Sequence, residues 1–152
     1  MCFTISKLKP NELKAKFDIP CWKVYDFCNR TYDHGNHLQQ NGFRSEHRKF
    51  RYKFGATYEG ELQPHDDGSS ISIGFHSFTS YNEARRYADG MQAVVLCYIP
   101  KGSRFYHNPE RDGLQYCSNN IGITYRTNKK AKLSLLEKLI VFLNRFEWFF
   151  TH

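Results

Sequence analysis

The chain lacks most of the features that assign a protein to a class at sight. Its five cysteines, Cys2, Cys21, Cys28, Cys97 and Cys117, are odd in number and contain no C-x-x-C pair. That excludes a simple disulfide scaffold and points to a reducing, cytoplasmic setting. Cys21, Cys28, His34 and His37 follow the spacing C-x6-C-x5-H-x2-H, which matches none of the common zinc patterns, so no metal is expected. The first residues, Met-Cys-Phe-Thr-Ile, lack a charged-then-apolar leader. The long apolar stretch 133–150 is interrupted by Glu137, Lys138, Asn144, Arg145 and Glu147, so it does not read as a membrane span. No internal repeat or low-complexity tract is present, which excludes a repeat scaffold.

What remains is a foldable chain with a basic bias. At 152 residues, 40% hydrophobic and 24% charged, it supports one domain with a real core and no need of a cofactor for stability. Aromatic residues reach 16%, too many for a disordered chain. Lys and Arg outnumber Asp and Glu by 22 to 15, a net charge of +7 that favours an anionic partner.

Residues 1–20 read as an N-terminal lead-in, and residues 21–152 as a single domain. Cys21-Trp22-Lys23-Val24-Tyr25-Asp26-Phe27 is rich in β-branched and aromatic residues and reads as a strand. From Lys49 to Tyr58 aromatic residues alternate with cations, the mark of a strand with one buried and one wet face. Residues 71–78 are strand-like with a break at Gly74. Ser80-Tyr81-Asn82-Glu83 is a capping box that starts a short helix, with Gly90 as its stop. Residues 93–99 form an apolar run suited to a strand buried on both faces, with Cys21 and Cys97 as small core residues. Short strands are expected at 104–107, 115–117 and 121–126. Leu136, Leu139, Ile140, Leu143, Phe146 and Phe150 recur at helical spacing, so 133–150 reads as an amphipathic helix that docks on the sheet or on a partner. The expected fold class is α+β: a small, mostly antiparallel sheet of about six strands, one short central helix and a C-terminal amphipathic helix.

The order Gly74-Phe75-His76-Ser77-Phe78-Thr79-Ser80, a helix with Glu83-Ala84, a buried strand Val94–Ile99 and then Pro100-Lys101-Gly102-Ser103 resembles the second half of mono-ADP-ribosyltransferase-like domains. The resemblance covers residues 49–126. It implies NAD as cofactor, Arg51 on the dinucleotide phosphates, and Ser77 and Thr79 on the nicotinamide side, with His76 and Gln115 completing the pocket. The family's essential glutamate belongs near Gln115-Tyr116-Cys117, where no acid stands. Gln115 cannot supply the charge that stabilises an oxocarbenium-like ribose, so no catalytic residue is assigned.

Across most of the chain, the Met-Cys start, Cys-Trp-Lys-Val, Gly-Phe-His-Ser-Phe and Ile-Pro-Lys-Gly-Ser followed by Tyr-Cys-Ser-Asn also look like a group of small uncharacterised proteins carried by bacteriophages and other mobile elements. That similarity implies an anti-defence role, of the anti-CRISPR type.

Two cationic clusters carry the functional expectation. Arg44, Arg48, Lys49, Arg51 and Lys53 fall within ten residues, interleaved with Phe43, Phe50, Tyr52 and Phe54. Alternating cations and rings bind phosphates and stack bases. Arg126, Lys129, Lys130 and Lys132 form a second cluster without an acid. The sequence therefore points to a non-enzymatic basic binding protein that engages RNA or a host nucleoprotein, with no membrane partner. The alternative is an NAD-using ADP-ribosyltransferase-like enzyme or a nucleotide-binding relic of one.

Overall fold

A computed structural model describes residues 3–4, 12–26, 42–44, 51–64, 70–88, 92–108, 115–124, 133–140 and 142. Among these the fold is α+β and mostly antiparallel sheet. The strands are β1 (Phe3–Thr4), β2 (Leu13–Lys14), β3 (Ile19–Asp26), β4 (Gly42–Arg44), β5 (Arg51–Lys53), β6 (Thr57–Glu59), β7 (Gln63–Pro64), β8 (Ser70–Ile73) and β9 (Phe75–Phe78). After helix α1 (Tyr81–Tyr87) come β10 (Gln92–Ile99), β11 (Arg104–Asn108), β12 (Gln115–Ser118) and β13 (Asn120–Ile123). Residues 135–140 form a second helical segment. No helix among the described residues is long and apolar enough to cross a membrane.

Eight strands join in the order β2-β11-β12-β9-β3-β10-β13-β6. The spine is the pair β3 and β10, in register from Ile19↔Ile99 to Asp26↔Gln92. Strand alternation then sorts the side chains. Ile19, Cys21, Val95, Cys97 and Ile99 enter one core cluster, while Trp22, Val24 and Leu96 enter another with Phe78 and Ala84. Strand β10 is thus apolar on both faces, as its sequence requires.

The first cluster also holds Phe105 and Tyr116, and both Leu13 of edge strand β2 and Tyr58 of edge strand β6 pack against it. Two opposite edges reach one core only because the sheet curls on itself. Asn119, between β12 and β13, pins the corner of that curl. Its side-chain oxygen accepts from Arg104 N at 2.8 Å, its N–H donates to Arg104 O at 3.0 Å, and its carbonyl accepts from Gly60 N at 2.7 Å. Gly122 lies opposite Tyr98 in the β10–β13 pair, and a Cβ there would collide with the tyrosine ring. That glycine makes room for an aromatic side chain.

Helix α1 packs on the second cluster. Ser80 caps it, its Oγ accepting from Glu83 N at 3.2 Å, while the Glu83 carboxylate pairs with Arg86 at 3.1 Å. The helix stops at Tyr87, with an extended Ala88 as its C-cap. That is ahead of Gly90, which lies outside the described residues. A full reciprocal box starts the second helical segment. Ser134 N donates to Glu137 Oε2 at 2.7 Å and Glu137 N to Ser134 Oγ at 3.1 Å.

Two expected elements take a different form. The lead-in is woven into the sheets: β1 pairs with β8, β2 with β11, and Ala15 is 3% exposed in the main core. Its apolar residues supply strand edges that the later elements leave unpaired. The alternating stretch from Lys49 to Tyr58 is broken at Gly55, whose φ of 79° a side chain resists. Strand β5 therefore pairs with β4, and β6 with β13. The break expected at Gly74 does separate β8 from β9, and a Cβ there would strike the Cys117 sulfur.

Candidate functional site

The sequence-derived cations meet first on the β4–β5 hairpin. The register pairs Gly42↔Lys53, Phe43↔Tyr52 and Arg44↔Arg51. Positions 44, 51 and 53 consequently share the hairpin face opposite Tyr52. Tyr52 is the anchor. It is 5% exposed, with its ring 5.3 Å from Tyr58 and 6.4 Å from Phe75, both edge-on. The Tyr58 hydroxyl also accepts from Lys53 N at 2.7 Å, fixing the end of β5, and Lys53 itself is exposed. Arg48, Lys49, Arg126, Lys129, Lys130 and Lys132 lie outside the described residues.

Behind Tyr52 sits a cation that sequence reasoning missed. Lys23 is 7% exposed, its Nζ 5.3 Å from the centre of the Tyr52 ring, and it donates to the His76 carbonyl. This hydrogen bond crosses the junction of β3 and β9, which meet in register at Trp22↔Phe78. Burial pushes the Lys23 pKa below its usual 10.5, against the opposing pull of the neighbouring Cys97, Cys21 and Cys117. Burial likewise pushes the Cys21 and Cys117 thiols up to about 12, and Cys97 upward as well. All three are free thiols, and at such values they are inert as nucleophiles. Parity held the signal for Lys23: it stands two residues from Cys21, on the same side of β3.

Of the alternative nucleotide pocket, His76, Ser77 and Gln115 fall along one ladder, and Thr79 follows directly after β9. Strand β9 pairs with β12 through Gln115↔Phe78, Tyr116↔Ser77 and Cys117↔His76. His76 Nε2 lies 3.8 Å from the Cys117 sulfur. Ser77 and Thr79 are 2% and 1% exposed. The Ser77 hydroxyl lies against the Cys21 thiol, and Thr79 Oγ1 is buried with no hydrogen-bond partner. His76 and Gln115 are half-buried. Arg51 stands on a different sheet from His76, Ser77 and Gln115, and its neighbour Tyr52 packs on Phe75 of β9. Among the described residues, no group of three or more His, Cys, Asp or Glu side chains is arranged to hold a metal ion.

A cavity of about 500 Å³ opens elsewhere, between the second helical segment and the sheet. Phe17, Pro20, Leu136 and Ile140 line it, with Asp18 and Glu137 at hand. Both carboxylates already serve the backbone: Asp18 accepts from Lys101 N at 2.8 Å, and Glu137 caps its own helix. In comparisons with known proteins, no family model matches the chain, and neither does any curated protein or solved structure.

Proposed function

We propose that this chain is a non-enzymatic basic binding protein of the mobile-element anti-defence type. In this reading it acts in the cytoplasm, engaging RNA or a ribonucleoprotein of a host defence system and inhibiting it in the anti-CRISPR manner. The observation that carries the reading is the register of the β4–β5 hairpin. Arg44 stands directly opposite Arg51, with Lys53 two residues along β5. Like charges opposed across a ladder cost stability, and a bound polyanion relieves that cost. The net charge of +7 adds a long-range field that draws such a partner in.

Fluorescence anisotropy with a short labelled single-stranded RNA tests it. Affinity should fall at least about tenfold between about 50 and 200 mM salt, as counterions return to the phosphates. Replacing Arg44, Arg51 and Lys53 by Glu should abolish binding at the lower salt. Salt-independent association, or full affinity in the charge-reversed variant, would sink the proposal.

The NAD reading draws support from the β9–β12 ladder, which puts His76 and Gln115 on one face, while Ser77, one register away, projects from the other. Because Ser77 and Thr79 are 2% and 1% exposed, a dinucleotide reaches them only if the ladder opens. Calorimetric titration with NAD decides it. Absence of heat removes this reading and leaves the binding proposal untouched.

A further inference from the structure

The second helical segment is seated on the sheet at one end and stands off it further along. Leu133 packs against the cluster of Trp22, Phe78 and Leu96. Leu136 and Ile140, four residues apart on the helix face that looks toward the sheet, line the cavity of about 500 Å³, and Leu136 is 66% exposed. The floor is the face of the β3–β10 pair that carries Pro20 and Tyr98, opposed in register, and the buried Leu96. Phe17, 58% exposed, forms a wall.

Size and lining are those of a small-molecule site, which typically measures roughly 300–1,000 Å³ and is apolar with a few placed polar groups. Water in the cavity finds few partners on Phe17, Pro20, Leu136 and Ile140, so an apolar body that displaces it is favoured. Charge selects the polar end of that body. Lys and Arg outnumber Asp and Glu across the chain, but the cavity reverses the balance, setting Asp18 and Glu137 against Lys101. Backbone donors hold both carboxylates in place: Lys101 N donates to Asp18 Oδ1 at 2.8 Å, and Ser134 N to Glu137 Oε2 at 2.7 Å. A carboxylate accepts several donors on its two oxygens, so an ammonium can join the backbone N–H on Asp18. The Lys101 side chain is exposed and keeps its charge in water. Arg44, Arg51 and Lys53 do not line the cavity, so it is separate from the basic hairpin.

We propose that the cavity between the second helical segment and the β3–β10 pair binds a small apolar amine. Its body lies against Pro20, Leu96, Leu136 and Ile140, and its ammonium donates to Asp18 within the field of Glu137. The site stands independently of what the hairpin binds.

Calorimetric titration of the full chain with phenylbutylamine tests this, with phenylbutanol and phenylbutyrate as neutral and acidic counterparts of the same body. The amine should saturate a single site per chain with a Kd on the order of 0.1–1 mM, as its size allows. The alcohol should bind about fivefold more weakly, and the acid more weakly again. Asp18→Asn keeps an acceptor for Lys101 N, so affinity for the amine should fall about fivefold while that for the alcohol stays. Leu136→Trp, which fills the cavity from an exposed position, should abolish binding of both. Should that variant melt early, Asp18→Asn alone decides. No saturation by any of the three below about 10 mM overturns the proposal. So does an alcohol or acid that binds as well as the amine, an amine affinity that Asp18→Asn leaves unchanged, or binding that survives Leu136→Trp in a folded chain.

Discussion

Two cationic places lie on either side of one tyrosine, and they differ in almost everything else. Lys23 sits over the Tyr52 ring inside the curled sheet, 7% exposed and surrounded by thiols. Lys53 sits next to Tyr52 in the chain, on the opposite face of β5, exposed, with Arg51 in phase and Arg44 across the ladder. The net charge counts all of them alike. Strand parity separates them: a step of one residue turns a side chain from solvent to core. A buried ammonium is a cost the fold carries, whereas the exposed Lys53 stays in water.

The comparison breaks first at its hinge. Tyr52→Ala removes a buried ring that touches Tyr58, Phe75 and Lys23. It should destabilise the protein by about 3–5 kcal/mol in urea denaturation and weaken RNA binding with it. An unchanged midpoint would mean that the hairpin is not anchored by this residue.

Changing Lys23 to Met sharpens the buried side. The swap keeps the volume and removes the desolvated amine, and stability should rise by about 1–3 kcal/mol near neutral pH. The pH dependence follows from the direction of the shift. With its folded pKa below 10.5, Lys23 holds its proton more tightly in the unfolded chain. Wild-type stability therefore climbs as pH rises from the folded pKa toward 10.5. Cys21 and Cys117, raised from 9.0 to about 12, act the other way and erode stability above pH 9. The lysine slope is isolated by urea melts of wild type and Lys23→Met side by side, since both carry the cysteines. Parallel curves would show that the amine stays as solvated as in the unfolded chain.

On the outer side the expected effects on stability are small. The charge-reversed hairpin, which should lose RNA, should melt within about 0.5 kcal/mol of wild type, as surface changes do. A collapse of stability would place those cations in the structural class with Lys23. Smallest of all, Arg86→Ala removes an ion pair whose arginine side chain is 78% exposed, and thermal melts should move by less than about 0.5 kcal/mol.

Much of the architecture was legible in the chain. The apolar run of β10, the Ser80 cap and the short strands after it announce themselves by local chemistry: unbroken hydrophobicity, a side-chain acceptor at a helix start, and turn residues in between. Cys21 and Cys97 read as core and are 0% and 1% exposed. The site was less legible. Arg44, Arg51 and Lys53 were recognisable as cations but not as neighbours, because their pairing depends on a turn and a register that composition does not encode. Lys23 was passed over as a buried group, since a lysine within a strand ordinarily marks the wet face, although its parity with Cys21 sets it on the core side.

The sequence by itself determined which runs are apolar, where the helix after Ser80 begins, and how much charge the protein carries. Those are local properties, set by the side chains within a few residues of one another. Only the tertiary structure decided that the sheet curls until β2 and β6 share a core. Lys23 is enclosed by that curl, and Leu135 of the second helical segment is left outside it. Burial of this kind is a property of the closed surface, created by residues far apart in the chain.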